Sequence, residues 1–390
     1  MKKGWQVTSL GEVCVVEKNQ GIYRNLPYVG LEQIEPNTGR FVGSTQPLSV
    51  RSSTFRFSPE HVLYGRLRPY LNKVMLPDFV GHCSTEIFPL KPRPDLSRQF
   101  LQYWFLRDAT VQQIDATSTG ARMPRANMNA VLEFEFLLPP LPEQKRIVGI
   151  LDEAFEGIAT AKTSAEKNLQ NARALFESHL QSVFTQRGAG WSETTLGRVC
   201  DFENGDRGKN YPNRGEYVEA GVPWINTGHI LPDGTLSRTE MNFITREKYE
   251  SLRSGKIQAG DLVYCLRGAT LGKTALVDPY TIGAVASSLV ILRPRDSLDR
   301  SFLYYFLTSP SGRGLIKLYD NGAAQPNLGA KSVTKYKIPL PDLGEQHKVV
   351  HQLSALAAEI QSLESIYHQK LAALDALKKS LLHQAFTGNL

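Results

Sequence analysis

The pattern of apolar and polar positions divides the chain into two kinds of segment. Residues 143–186 and 345–390 contain no proline and carry apolar side chains at steps that alternate between four and three. Positions on this repeat include Ile147, Leu151, Ile158, Asn168 and Leu175 in the first segment, and Val349, Leu353, Leu356, Ile360, Leu363, Lys370 and Leu374 in the second. Heptad spacing of this kind predicts a long helix whose apolar seam packs against another helix, as in a coiled coil.

One strongly polar residue interrupts the seam at the same place in each segment. Lys370 lies 202 residues after Asn168. Two interpretations remain open. A matched polar position could fix the register of the two helices and reject other pairings. Alternatively the seam shifts locally by one residue, so that Leu169 and Leu371 take over from Asn168 and Lys370.

The remaining segments, 1–142 and 187–344, show a different pattern of apolar and polar residues. Short apolar runs, namely CVVEK, HVLYG, EFEFLL, DLVYCL and SSLVILR, are separated by stretches rich in glycine and proline. Such runs predict β-strands bounded by turns. An amphipathic pattern also predicts one helix in each segment, over residues 98–114 and 300–316. Each segment is therefore expected to be a mixed α/β domain.

The two halves of the chain repeat one another. WQVTSLGEVC from Trp5 and WSETTLGRVC from Trp191 share six of ten letters in register. Further matches follow in the same order: VLYGRLRPYLNK with LVYCLRGATLGK, FLQYWFL with FLYYFL, TGARMP with NGAAQP, and LPPLPEQKRIV with LPDLGEQHKVV. A period near 200 residues is too long for a solenoid and indicates two copies of a whole domain. The predicted order is domain one (1–142), a central helix (143–186), domain two (187–344) and a C-terminal helix (345–390).

Chain connectivity predicts how these parts are arranged. Domain one runs directly into the first helix, and domain two begins within a few residues of that helix's end. The second helix has to bury its apolar stripe, and its nearest partner is the first helix, which it would meet running backwards. The predicted fold is α+β, with two pseudo-two-fold-related globular domains separated by a pair of long antiparallel helices.

The distribution of charge favours a polyanionic partner. The net charge is +7. The domain segments 1–142 and 187–344 each carry a net +4, whereas the helical segments carry −1 and 0. Two basic domains on a neutral spacer suit duplex DNA, whose half-sites recur on one face about every 34–36 Å.

Other features of composition exclude several classes of protein. The four cysteines lie far apart and form no CxxC pair, so neither a metal site nor a disulfide framework is expected. Cys14 and Cys200 occupy the same place in the repeated phrase and are predicted to be small buried apolar residues. No apolar run approaches the ~20 residues of a membrane helix, and the N-terminus lacks the apolar core of a secretory signal. We expect a cytoplasmic protein that has no membrane segment.

Motifs for catalysis are missing from the sequence. GATLGKT, from Gly268, is one residue too short between its glycines to be a phosphate-binding loop. No HExxH motif and no nucleophile elbow occurs. The chain alone is therefore predicted to be non-catalytic, with no catalytic residue, metal or cofactor of its own. Two other functions stay open, namely a self-contained DNA methyltransferase or nuclease, and a coiled-coil adaptor that binds only protein.

Taken in order, these motifs resemble a known family. The repeated W…LG.V opening, the segment from Gly260 to Lys273, the loops TGARMP and NGAAQP, the LPEQ and LGEQ helix starts and the terminal AFTG resemble the specificity subunit of type I restriction-modification systems. The resemblance implies two target-recognition domains, each reading one half of a split DNA site. It also implies that the helices set the gap and bind two modification subunits, which methylate adenine using S-adenosylmethionine. Restriction subunits, which use ATP and magnesium, would join that complex.

Residues for DNA contact are expected in loops that combine basic or amide side chains with glycine or proline, because such side chains reach phosphates and base edges. In domain one these are Lys18, Asn19, Gln20, Tyr23, Arg24, Asn25, Arg66, Arg68, Tyr70, Asn72, Lys73, Arg122, Arg125 and Asn127. In domain two they are Asn204, Arg207, Lys209, Asn210, Asn226, Thr227, His229, Arg267, Thr270, Lys273, Asn321, Gln325 and Asn327. Any single one is equally consistent with a solvated surface charge or a turn-forming amide. The matched pair Lys73 and Lys273 is favoured, because both copies keep it.

Overall fold

The structure, a computed structural model, describes residues 4–186, 188, 190–319 and 327–390. These residues form two compact units. Unit 1 comprises Met1–Glu166 and His368–Leu390, and unit 2 comprises Lys167–Tyr367. Each unit therefore contains one of the predicted globular domains together with a part of both long helices.

Unit 1 is a mixed α/β body. Its strands are β1 (Gln6–Ser9), β2 (Cys14–Val16), β3 (Gln20–Gly21), β4 (Tyr28–Val29), β5 (Thr54–Phe57), β6 (Val62–Gly65), β7 (Val74–Met75), β8 (Gly81–Cys83), β9 (Ile87–Pro92) and β10 (Glu135–Leu138). Its helices are α1 (Leu10–Val13), α2 (Arg98–Leu106), α3 (Asp108–Ala116), α4 (Met128–Leu132) and the first part of α5 (Leu141–Thr185). The predicted runs CVVEK, HVLYG and EFEFLL coincide with β2, β6 and β10, so these strand predictions are confirmed.

Unit 2 follows the same order of elements with one added helix, Arg246–Ser251. Its strands are β11 (Ser192–Thr195), β12 (Cys200–Asn204), β13 (Tyr217–Val218), β14 (Val222–Ile225), β15 (Asn242–Ile244), β16 (Leu262–Cys265), β17 (Thr274–Leu276), β18 (Ala284–Val285), β19 (Leu289–Pro294) and β20 (Lys337–Leu340). Its helices are α6 (Leu196–Val199), α7 (Arg246–Ser251), α8 (Arg300–Thr308), α9 (Pro310–Tyr319), α10 (Ala330–Val333) and the first part of α11 (Leu343–Thr387). The runs DLVYCL and SSLVILR coincide with β16 and β19, as predicted.

Two sheets are common to the units, and a third differs. Over the described residues, β1 pairs with β10 as β11 pairs with β20, and the order β2-β9-β6-β7 matches β12-β19-β16-β17, all antiparallel. The other sheet has the order β3-β5-β8-β4 in unit 1 and β13-β15-β14-β18 in unit 2. The duplicated domains thus share a scaffold and have diverged in one sheet.

The single amphipathic helix predicted in each domain is wrong. Each is two short helices, α2 and α3 in unit 1, and α8 and α9 in unit 2. The backbone is extended at the junctions, Arg107 and Ser309. In unit 2 the break has a local cause, because Pro310 disfavours helical geometry at Ser309. Unit 1 breaks at the matched place without a proline, so packing imposes the break there.

The cores are formed by strand and helix side chains of each unit. Val62, Leu63 and Tyr64 of β6 are fully buried, and Tyr64 stacks on Phe105 of α2 with ring centroids 4.6 Å apart. Cys14 and Cys200 are buried, and burial raises the pKa of both thiols to about 12. Their predicted role as small apolar core residues is confirmed.

The two long helices begin two residues earlier than predicted and run antiparallel within each unit. In unit 1 Arg146 donates to the main-chain oxygen of Leu390 at 2.6 Å, and Lys162 is ion-paired with Asp375. In unit 2 Arg173 is ion-paired with Glu364 at 2.5 Å. Leu180 and Phe184 share the unit 2 core with Val349 and Leu353. Since later residues of α5 meet earlier residues of α11, the predicted antiparallel orientation holds in each unit.

The polar seam positions follow the stutter interpretation. Asn168 and Lys370 are exposed, whereas Leu169 and Leu371 are half-buried. Leu175 is 60% exposed, and its neighbour Phe176 packs against the unit 2 core instead, so the seam prediction for Leu175 is wrong. The physical reason is that the buried stripe of α5 runs through Ala165, Leu169, Ala172 and Phe176, so that Leu169 and Phe176 take the places of Asn168 and Leu175. Of the other predicted seam positions, those that are buried are Ile147, Leu151, Ile158, Val349, Leu353 and Ile360, and Leu356 and Leu374 are half-buried. The seam prediction for Leu363 is also wrong, because this side chain is 40% exposed on a helix face that also carries exposed Ile366.

Candidate nucleic-acid interface

Two of the predicted DNA-contact loops of unit 1 meet at one backbone junction. Arg66, directly after β6, donates its amide to the carbonyl of Glu86 at 2.9 Å. The Arg66 carbonyl in turn accepts the amide of Ala126 at 2.9 Å, and Arg68 donates to Pro124 at 2.7 Å. The loops around residues 66–73 and 119–127, which are far apart in the sequence, are therefore neighbours.

Charged side chains gather at this junction. The Arg66 Nε lies 2.9 Å from one oxygen of Glu86, and the Arg125 Nε lies 3.0 Å from the other. The Arg66 guanidinium and the Lys18 ammonium both lie over the ring of Phe88, at 5.3 and 4.8 Å from its centroid. We call Lys18, Arg66, Glu86, Phe88 and Arg125 the unit 1 cationic cluster. Three cations and one carboxylate give it a net charge of +2.

The side chains of the cluster are partly exposed to solvent, yet their positions are fixed by contacts. The side chains of Arg66, Glu86 and Arg125 are 33%, 22% and 39% exposed. Cations held over an aromatic face and against a carboxylate lose freedom to rotate. The arrangement therefore presents guanidinium groups at the surface in defined positions.

Other predicted residues of unit 1 lie at the surface or within turns. Lys18, Asn19, Gln20, Arg24, Asn25, Arg68, Tyr70 and Arg122 are exposed. Tyr23 donates its hydroxyl to the main-chain oxygen of Asn19 at 3.1 Å, across the short strand β3. Arg68 has a left-handed φ of 51°, which turns the chain sharply beside the cluster. These residues remain candidates for contact with DNA.

Three predicted residues of unit 1 have structural roles instead. Asn72 is buried and donates to the carbonyl of Phe105 at 3.0 Å, so the prediction that it reaches DNA is wrong. Lys73 is half-buried and donates to the carbonyl of Leu31 at 2.5 Å. Asn127 caps α4, its side-chain oxygen accepting the amide of Asn129 at 3.2 Å. In each case the polar side chain pairs with a backbone group of its own unit.

Unit 2 repeats the backbone junction with other side chains. Leu266 donates its amide to Ser288 at 2.9 Å, and the Leu266 carbonyl accepts the amide of Leu328 at 2.9 Å. Arg267 forms an isolated bridge with Asn327, as Leu67 does with Arg125 in unit 1. Leu266 is buried, so the position that carries Arg66 in unit 1 carries a core residue here.

The predicted contact residues of unit 2 divide in the same way. Asn204, Arg207, Lys209, Arg267, Lys273 and Asn327 are exposed, and Thr227 is half-buried. Asn321 and Gln325 lie outside the described residues. Asn210 donates to the Ser251 carbonyl at 2.6 Å, and the hydroxyl of half-buried Thr270 lies 3.3 Å from the sulfur of Cys265.

His229 and Asn226 form a turn rather than a contact surface. The side-chain oxygen of Asn226 accepts the amide of Gly228 at 2.8 Å, and the backbone amide of Asn226 donates to the His229 Nδ1 at 3.1 Å. His229 is buried, and burial lowers the pKa of its imidazole. The prediction that His229 reaches DNA is wrong, because the ring faces its own turn.

Glu86 and Phe88 were missed by the sequence analysis. A search for basic and amide side chains passes over a carboxylate and a buried ring, although both hold cations of the cluster. Aligning the repeat would have pointed to Glu86, because the matched residue 202 positions later is Ser288. A charged residue in one copy that is aligned with a neutral residue in the other marks a point where the two copies differ.

Within the described part of the chain, no cluster of three or more His, Cys, Asp or Glu side chains is arranged to hold a metal ion. Nor, over the same residues, is any helix long and apolar enough to cross a membrane.

Comparison with known proteins defines the family. The type I restriction modification DNA specificity domain matches twice, over residues 2–169 and 189–369. The chain belongs to this family. The two matched ranges correspond to the two copies found by internal repetition, and together they include most of the chain.

The chain is similar to several specificity subunits. It is 30% identical over 166 residues to the EcoDI specificity subunit of Escherichia coli, covering 42% of this chain and 36% of that protein. It is 23% identical over 302 residues to the EcoBI specificity subunit, also of Escherichia coli, covering 71% of this chain and 63% of that protein. The matched regions thus span less than two thirds of these relatives.

Solved structures share the fold over the whole length. A chain solved in a study of complex assembly and conformational transition of the type I restriction-modification system has a TM-score of 0.83 at 24% identity. The alignment covers 100% of this chain and 99% of that one. The HsdS subunit from Thermoanaerobacter tengcongensis has a TM-score of 0.64 at 24% identity, covering 100% and 98%. The predicted mixed α/β domains with two long helices are confirmed by this likeness.

Proposed function

We propose that this chain is the subunit of a type I restriction-modification complex that reads a bipartite, asymmetric DNA site. Each unit reads one half of the site, and α5 with α11 sets the gap between the halves. The observation that carries the proposal is the double occurrence of the specificity domain on one backbone frame with different side chains. Arg66, Glu86 and Arg125 of unit 1 are matched by Leu266, Ser288 and Asn327 of unit 2.

The long helices support the spacer role. Each contains 45 residues without interruption. At 1.5 Å per residue such a helix is about 67 Å long, which covers about two turns of duplex DNA. A helix is stiff over this distance, so its length translates into a defined gap.

We further propose that the helices dock two modification subunits. Leu363 and Ile366 of α11 are 40% and 53% exposed and lie three residues apart, on one face of the helix. Exposed apolar side chains on one helix face suit burial by another protein. The modification subunits would methylate adenine with S-adenosylmethionine, and restriction subunits would add ATP- and magnesium-dependent cleavage. The chain itself would be non-catalytic and would act in the cytoplasm.

Mapping of adenine methylation tests the proposal. The chain is produced with a modification subunit in cells that lack other adenine methylation, and methylated sites are sequenced. The expected result is a split motif with two different defined halves and a constant gap. A single uninterrupted motif, or methylation that does not depend on the chain, contradicts the proposal. Turnover of methyl donor by the purified chain alone would show an enzyme, and failure to retard duplex DNA at low salt would show an adaptor.

A further inference from the structure

The two units carry different side chains at matched positions of the backbone that they share. Residue 18, two residues after the end of β2, corresponds in the repeat to residue 204 at the end of β12, and residue 88 corresponds to residue 290 on β9 and β19. The matched pairs are Lys18 and Asn204, Arg66 and Leu266, Glu86 and Ser288, Phe88 and Val290, and Arg125 and Asn327. Every charged member of the unit 1 cationic cluster is replaced by a neutral residue in unit 2.

Glu86 fixes the two arginines through the same kind of bond. Each guanidinium uses its Nε to contact the carboxylate, at 2.9 Å for Arg66 and 3.0 Å for Arg125. The terminal amino groups are not part of these bonds. Arg66 is held further by the face of Phe88, and Arg125 by a 3.4 Å bond to the carbonyl of Met123. A side chain that is already oriented loses less entropy on binding, which favours recognition by defined geometry.

The carboxylate argues against a phosphate role. Phosphate contacts gain their affinity from net positive charge and counterion release. Glu86 lowers the positive charge beside both arginines and would repel a phosphate. A base edge carries no formal charge and is not repelled in this way. Arginine that presents a planar fork to the O6 and N7 atoms of guanine is the commonest specific contact in the major groove.

We infer that the Glu86-held arginine pair selects a G·C base pair in the half-site read by unit 1, with Arg66 and Arg125 as base-reading residues and Glu86 as a positioning residue. This inference rests on the proposed function. The neutral residues at the matched positions give unit 2 a different preference at the corresponding base pair. The difference between the two halves of the DNA site would then arise at Arg66, Glu86 and Arg125, which unit 2 replaces on the same backbone.

The test compares three variants by methylation mapping with the modification subunit. Arg125→Lys keeps the positive charge and removes the planar fork, and Glu86→Gln removes the charge that orients both arginines. Arg93→Lys is the matched control, because Arg93 lies at the other end of β9 and is also paired with an acid, Asp95. Six strand residues separate Glu86 from Arg93, which places their Cα atoms about 23 Å apart along an extended strand.

Wild-type protein is expected to give a split motif with a G·C pair in one half. Arg125→Lys and Glu86→Gln should each lower the preference at that pair about tenfold and leave the gap and the other half unchanged. Arg93→Lys should match wild type. The inference is overturned if both cluster variants keep the wild-type motif, or if they weaken every site equally, as loss of a phosphate contact would.

A binding measurement on the purified chain separates failure of this inference from failure of the proposed function. The purified chain and its Arg125→Lys variant are presented with a pool of randomised duplex DNA over a range of salt concentrations. An unchanged salt dependence with a changed selected sequence supports base reading, whereas a changed salt dependence with an unchanged sequence contradicts it. If Glu86→Gln does not fold, Arg125→Lys carries the test alone. Failure of wild type to give a split motif would instead contradict the proposed function.

Discussion

Gln144 and Ser97 are joined by a hydrogen bond of 2.8 Å, donated by the Ser97 amide to the side-chain oxygen of Gln144. The side-chain Nε2 of Gln144 also donates to the carbonyls of Asp95 and Pro139, both at 2.8 Å. Unit 2 repeats this with Gln346, which accepts the amide of Asp299 at 2.8 Å. The glutamine of the LPEQ and LGEQ motifs therefore ties the start of each long helix to its domain, which explains why both copies carry it.

Replacing this glutamine should destabilise its unit. Gln144→Ala removes three hydrogen bonds from a fully buried site and leaves backbone groups unpaired, at a cost of about 2–4 kcal/mol. Thermal and urea unfolding would measure the loss. The matched control is Gln112→Ala, at an exposed position of α3. An unfolding midpoint that falls no further than that of the control would show that the hydrogen bonds of Gln144 do not stabilise the unit.

Lys73 and Lys273, which the repeat places together, should behave differently. Lys273 is exposed, whereas Lys73 donates to the Leu31 carbonyl. We expect Lys273→Ala to weaken binding to all duplex DNA and to reduce the slope of log affinity against log salt by about 0.9, one phosphate's worth. Lys73→Ala should lower the unfolding midpoint instead. A change in sequence preference on Lys273→Ala would assign that lysine to base reading.

The stutter in α5 predicts which of two neighbours matters for stability. Leu169→Ala should cost about 1–2 kcal/mol, because the side chain is half-buried. Asn168→Ala should change the free energy of unfolding by less than about 0.5 kcal/mol, since Asn168 is exposed and alanine favours a helix. Unfolding of the two variants is compared with wild type. A larger loss for Asn168→Ala would restore the interpretation that this residue fixes register.

Burial of His229 predicts a dependence of stability on pH. Its pKa is lowered in the folded state, so the unfolded state binds the proton more readily. The contribution of the neutral ring is complete above the unfolded pKa of about 6.5 and is lost as the pH falls below it. His229→Gln should flatten this fall. The measurement is unfolding of both proteins at about pH 8 and about pH 5.5. An equal fall in wild type and variant would assign the effect to other groups.

The exposed apolar face of α11 predicts a surface that docks a partner. Ile366→Lys should reduce co-purification of the modification subunit and leave binding to duplex DNA unchanged, because a lysine is costly to bury against an apolar surface. Gln361→Lys adds the same charge at an exposed position on the other side of α11 and serves as the control. Equal capture by both variants would place the docking surface elsewhere.

Much of the architecture could be predicted from order along the chain. Strands such as β6 and β16 are short apolar runs, and α5 and α11 are long periodic segments without proline, so neighbours in sequence determine them. The site was predicted only in part. Arg66 and Arg125 were identified as candidate contacts, but Glu86, 20 residues after Arg66 and 39 before Arg125, was not. Nothing local to Glu86 marks a residue that holds two distant arginines.

The sequence by itself determined that the chain is a duplicated pair of mixed α/β domains, each followed by a heptad-patterned helix, because repeats and periodicity are properties of the order of residues. Only the tertiary structure decided which polar loop residues stay at the surface. Asn72 and His229 were predicted on the same grounds as Arg68 and Lys273, as polar side chains in loops that contain glycine or proline. Packing nevertheless buries the first two and leaves the others exposed. It also decided the break at Arg107 and the ion pairs of Glu86. These depend on contacts between segments that are distant in the chain, which no local pattern records.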